Sequence, residues 1–120
     1  MSTELKKERP EDPTGVDGAA ARIEAEVTTW PGVTAGWGKR GEYGFSVGRR
    51  QIGHLHGDRA AHFAFPKSQW SELIEEGRIT THPVDRPGLG ARRIRDEDDI
   101  AAAIALMRLN YDRAVSDGNS

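Results

Sequence analysis

Residues 43–58 read Tyr-Gly-Phe-Ser-Val-Gly-Arg-Arg-Gln-Ile-Gly-His-Leu-His-Gly-Asp. Tyr43, Phe45 and Val47 alternate with Gly44, Ser46 and Gly48, the period of a strand with one buried face. Gly48-Arg49 suits a two-residue type II′ hairpin, which wants glycine first. Such a loop pairs Val47 with Arg50, Phe45 with Ile52 and Tyr43 with His54, and directly paired residues share a face. His54 and His56 are therefore expected on the aromatic, helix-covered side of the sheet. Gly57-Asp58 reads as a second turn, leading into a strand where Ala61, Phe63 and Phe65 alternate with Ala60, His62 and Ala64. A two-residue loop here sets Phe63 on the face of His54 and turns His62 to the other face. A three-residue loop reverses that.

Outward from this meander, residues 17–30 read as a helix with Ala20, Ile23, Val27 and Trp30 on one side and Asp17 as N-cap, ended by Pro31-Gly32. Val33 to Gly38 alternates as a half-buried strand. Pro66 to Glu76 reads as a second helix carrying Trp70, Leu73 and Ile74, with Gly77 past its end. Two short strands, about 78–82 and 90–95, follow around a Pro/Gly turn. Asp96 caps a last helix whose acidic first turn suits the helix dipole and whose stripe is Ile100, Ile104, Met107 and Tyr111. Trp30, Trp37 and Trp70 all fall in apolar patterns and are expected in the core. The order α-β-β-β-β-α-β-β-α predicts a single α+β domain over 17–115, an antiparallel β-meander with helices packed on one face. Residues 1–16 and 116–120, charged and without an apolar run, are expected to be disordered tails.

The chain has 120 residues, no cysteine and a net charge of −2. Without cysteine there is no disulfide, thiolate nucleophile or zinc site built on sulfur. No stretch has the length and apolarity of a signal sequence or membrane span, so a soluble cytoplasmic protein without a membrane partner is expected. Charge is uneven: residues 33–95 hold eleven Lys/Arg against six Asp/Glu, residues 1–32 four against seven and residues 96–120 two against six. The overall balance speaks against a chain that coats nucleic acid. Arg92, Arg93 and Arg95 flank the last strand, either as an anion-binding patch or as partners for acidic helix ends.

The histidines carry most of the available chemistry. His54-x-His56-x-Asp58 starts like the His-x-His-x-Asp-His signature of metallo-β-lactamase-fold hydrolases, but Arg59 breaks it after three residues. A cupin reading of Gly48 and the His pair fails because Ala60 and Ala61 stand where its glutamate belongs. A metal needs three or four ligands. With His62 turned away the set stays incomplete, so no metal is expected. Two imidazoles beside an apolar pocket suit acid, base or hydrogen-bond work on a small molecule; the plainer alternative is histidines packed and hydrogen-bonded within the sheet. Asp58 lies in a turn and His82 in an irregular segment before Pro83. No phosphate loop, dinucleotide fingerprint or serine elbow is present, so no cofactor is expected.

Trp30-Pro31-Gly32-Val33, Gly53-His54-Leu55-His56-Gly57, Phe65-Pro66, His82-Pro83, Ile94-Arg95 and Leu109-Asn110-Tyr111 resemble the small bacterial proteins of the luciferase-domain family, named for a domain shared with fungal luciferases. The resemblance spans about residues 20–115. It implies an α+β domain and, by analogy, oxygenation of a small aromatic substrate by dioxygen without metal or flavin. His54, His56 and His82 would be the catalytic candidates; Tyr43, Phe45 and Phe63, expected on the same face, and Asp58 of the adjoining turn are the candidates for binding the substrate. The alternative is a non-catalytic module whose basic sheet edge contacts an acidic protein or nucleic acid, recognisable by its salt dependence. The sequence sets no oligomeric state.

Overall fold

The structure, a computed structural model, describes residues 15–118. The elements are α1 (Ala19–Val27), β1 (Val33–Trp37), β2 (Tyr43–Val47), β3 (Arg50–His56), β4 (Ala60–Ala64), α2 (Lys67–Glu75), β5 (Thr80–Thr81), β6 (Leu89–Arg93) and α3 (Glu97–Gly118). Six strands form one antiparallel sheet in the order β1-β2-β3-β4-β6-β5. This is the expected α+β domain with the expected order of elements. Residues 1–14 of the expected N-terminal tail lie outside the described residues, whereas Gly15 and Val16 donate backbone hydrogen bonds to Ile94 O (2.7 Å) and Asp58 O (3.3 Å). α3 continues past residue 115 to Gly118, and Asp117 accepts from Arg50 at 2.6 Å.

α1 and α3 are built from stripes at helical spacing. Ala19, Ile23 and Val27 of α1 are fully buried against α3, which contributes Ile100, Ala103, Leu106, Met107 and Tyr111. Asp96 caps α3 as expected, its Oδ1 accepting from Asp99 N at 3.0 Å. The cap of α1 differs from expectation. Gly18, at φ 81°, occupies the N-cap position and has no side chain to offer. Asp58, forty residues on, fills the role by accepting from Gly18 N (3.1 Å) and Ala20 N (2.8 Å).

Two local features reset the register of the meander. The β2–β3 turn pairs Val47 with Arg50 as expected, but a bulge follows, so that Ser46 faces Gln51 and Phe45 faces Gly53. Ile52 is the extra residue. From there on every side chain of β3 is on the face opposite to the expected one: Leu55 lies opposite Tyr43, and His54 opposite Gly44. The bulge lets Ile52 and Leu55, three apart, both reach the core, where they are 1% and 0% exposed. Asn110 of α3 reaches the same place, its Nδ2 donating to Ile52 O and Ala64 O at 3.1 Å each. The second change is the β3–β4 loop, which has three residues, Gly57, Asp58 and Arg59, so that His56 pairs with Ala60 and His54 with His62.

Phe45, Leu55, Ala61 and Phe63 thus point to the helices, with Tyr43 and Val47 beside them. The other face stays open: Gly36, Gln51, His56, Ala64 and Arg93 are exposed, and Gly44, Ser46, His54 and His62 are half-buried. Of the three tryptophans, Trp30 is core and Trp70 half-buried, donating to Leu89 O at 2.9 Å. Trp37 departs from expectation. It is 76% exposed at the end of β1, an edge strand.

Candidate functional site

The bulge and the longer turn together gather every histidine of the chain on the open face of the sheet. The chain has four. β3 supplies His54 and His56, β4 supplies His62, and His82 follows β5. Ring centroids are 5.0 Å apart for His54 and His56, 5.3 Å for His54 and His62, 4.3 Å for His56 and His62, and 4.3 Å for His62 and His82. With Arg40 and Glu42 of the β1–β2 loop and Pro83, they line a hollow of about 430 Å³.

Their neighbours distinguish the four rings. Gln51 Oε1 lies 2.7 Å from His54 Nδ1. An amide oxygen only accepts, so Nδ1 carries the hydrogen and Nε2 keeps its lone pair. His82 is the reverse, since its Nδ1 accepts from Val84 N at 2.9 Å and the neutral ring then bears its hydrogen on Nε2. Gly44 makes room for the Gln51 contact, because a Cβ there would come within 2.8 Å of the Gln51 amide nitrogen. His62 Nδ1 is buried without a hydrogen-bond partner among the described residues. Burial and, after it, the neighbouring His56, His82 and His54 push the His62 pKa down to about 4. Burial lowers His54 too, reinforced by His56 and opposed by Glu42. It also lowers His82. Backbone hydrogen bonds hold the Glu42 carboxyl below its usual range. At neutral pH these lowered values leave His54, His62 and His82 uncharged beside the Glu42 carboxylate.

A family model described as Luciferase domain matches residues 49–110, just over half of the chain. The chain belongs to the luciferase-domain family. Comparisons with curated proteins and with solved structures find no match. The luciferase-domain segment contains all four histidines, Gln51 and Asn110, and leaves out α1, β1 and β2 with the Arg40–Glu42 loop. Among the described residues of this luciferase-domain chain, no helix is long and apolar enough to cross a membrane.

Of the residues expected at the site, His54, His56 and His82 come together, but on the uncovered face rather than beneath the helices. Phe45 and Phe63 are core residues on the opposite face, 0% and 3% exposed. Tyr43 shares that face; its hydroxyl donates to Glu24 Oε2 at 2.6 Å, and it borders a separate hollow with Trp37 and α1. Asp58 is occupied as the cap of α1. The arginines divide as partners of an acidic helix end. Asp99, buried at the start of α3, pairs with Arg92 at 2.7 Å and Arg95 at 3.3 Å, while Arg93 is exposed. β5 pairs with Gly90 and Ala91 of β6, and Arg92 and Arg93 lie beyond that paired stretch. His62 is the residue that sequence reasoning turned away. The reason for expecting an incomplete metal set fails with it, since His54, His56 and His62 bring ligand atoms within 4.8 Å of one another.

Proposed function

We propose that this luciferase-domain chain binds a small acidic aromatic molecule, a phenol or enol, in the four-histidine hollow and oxidises it with dioxygen. The convergence of four imidazoles, among which His54 and His82 have complementary hydrogen-bonding states, carries this reading. His54 Nε2 keeps a lone pair able to take a hydroxyl proton, and His82 Nε2 holds a hydrogen able to be donated to the oxyanion left behind. Arg40, on the rim, adds a positive charge. The hollow has room for a single-ring ligand, being at the lower end of the size range of small-molecule sites. Deprotonation makes the ring electron-rich; a ring carbon then bonds dioxygen, the anion giving up two electrons as the O–O double bond becomes a peroxide bond, and the peroxide takes back the proton held by His54. Neutral imidazoles favour this order of events, because a protonated ring accepts nothing. Phe45 and Phe63 take no part, being on the other side of the sheet.

The test is NMR titration of the full chain with a panel of hydroxylated aromatic acids, paired with oxygen-uptake measurements. Shifts confined to His54, His56, His62 and His82, together with binding at least roughly tenfold weaker in a folded His54→Ala variant, are the expected results. Shifts centred on Trp37 and Tyr43, or no binding by any member of the panel, would contradict the reading.

A further inference from the structure

We infer that His54, His56 and His62 hold a divalent transition-metal ion on the open face of the sheet. Three observations converge on it. The ligand atoms of the three side chains lie within 4.8 Å of one another, close enough that small rotations about the side-chain bonds bring them to the 2.0–2.1 Å at which imidazole nitrogens bind such ions. The three rings come from adjacent positions of one ladder, with His54 directly opposite His62 and His56 two residues along the same strand. His62 Nδ1 is buried and has no partner among the described residues, an arrangement that a bound ligand at the ring relieves.

The surroundings have the supporting features that histidine ligands use. Gln51 Oε1 holds His54 Nδ1–H, which fixes the tautomer and leaves Nε2 for the ion. Gly44 keeps the space in which Gln51 does this. Glu42 lies in the same hollow and supplies negative charge. Three imidazoles suit zinc, copper, nickel or ferrous iron rather than calcium or magnesium, and they leave one position of a tetrahedral site open to the hollow. His82 stands apart from the set, since its Nδ1 is taken by Val84 N–H; it borders the open position as a hydrogen-bond donor. An ion so placed would occupy His54 Nε2 and would itself promote loss of the ligand's hydroxyl proton in its place, with His82 still able to donate to the oxyanion. The proposal does not depend on which small molecule binds, because metal affinity is read without one.

The experiment is titration of the untagged, chelator-stripped full chain with Zn²⁺ alone, in competition with a chromophoric chelator. One equivalent per chain is expected. His54→Ala, His56→Ala and His62→Ala should each lose on the order of a hundredfold in affinity or more, Gln51→Ala about tenfold, and His82→Ala no more than a few-fold. Thermal unfolding in chelator checks that each variant is folded. The exposed His56 and the surface residue Gln51 keep the test informative if His62→Ala does not fold. No saturable binding to the wild-type chain, or binding indifferent to the three substitutions, overturns the metal site and leaves the aromatic-ligand reading to its own titration.

Discussion

His62 shows how a single side chain connects the site to stability. Its ring is held near pKa 4 by burial and by the other three histidines, against an ordinary value of 6.5. Between those values the unfolded chain binds the proton and the folded chain does not, so protonation favours unfolding. The contribution is therefore intact above pH 6.5 and is lost as the pH falls towards 4. In metal-free protein, the stability of the wild-type chain relative to His62→Gln should drop by roughly 1–2 kcal/mol between pH 7.5 and pH 4, once solvent screening of a half-exposed ring is allowed for. Urea unfolding of both proteins at several pH values measures this. Identical pH profiles would mean that the ring titrates normally and is not enclosed by the other imidazoles.

At the scale of elements, the decisive piece is the β3 bulge and the α3 residue that holds it. Asn110 donates to Ile52 O and Ala64 O, joining the bulge to the end of β4 from inside the core. Asn110→Ala leaves two strand carbonyls short of a donor in a buried place and should cost about 1–3 kcal/mol, measurable by thermal or urea unfolding. Loss of less than about 0.5 kcal/mol would show that the bulge holds without it. The helices and the order of strands were legible because their apolar spacing is regular: Ile23 and Val27 in α1, Ile100, Met107 and Tyr111 in α3, and Tyr43, Phe45 and Val47 in β2 all lie where their period puts them. The face of the histidines was not, because a strict alternation from Val47 onward cannot anticipate an inserted residue. A signal existed. Ile52 and Leu55 are the large aliphatic residues of β3 and stand three apart, so a regular strand can bury only one of them; burying both requires a bulge between them. The three-residue turn had a subtler sign, in that Asp58 is needed as a cap for a helix whose own N-cap is Gly18, a long-range demand that local turn preferences do not express.

For the whole molecule, the consequence is a division of labour between the two faces of one sheet. The helix-covered face takes the aromatic residues and carries the fold, while the open face takes the histidines, Gly36, Gly44 and Gln51 and carries the chemistry. The cluster at 54, 56, 62 and 82 exists only if both the bulge and the three-residue loop are in place, since a one-residue slip at either point sends one set of rings through the sheet. Nuclear Overhauser contacts of the histidine rings in the intact protein read this directly. The account predicts contacts from His62 to the rings of His56 and His82, whose centroids are 4.3 Å away in each case, and none to Met107 or Phe45. Contacts from the His54 or His62 ring to those two core side chains would put the histidines on the covered face and contradict it.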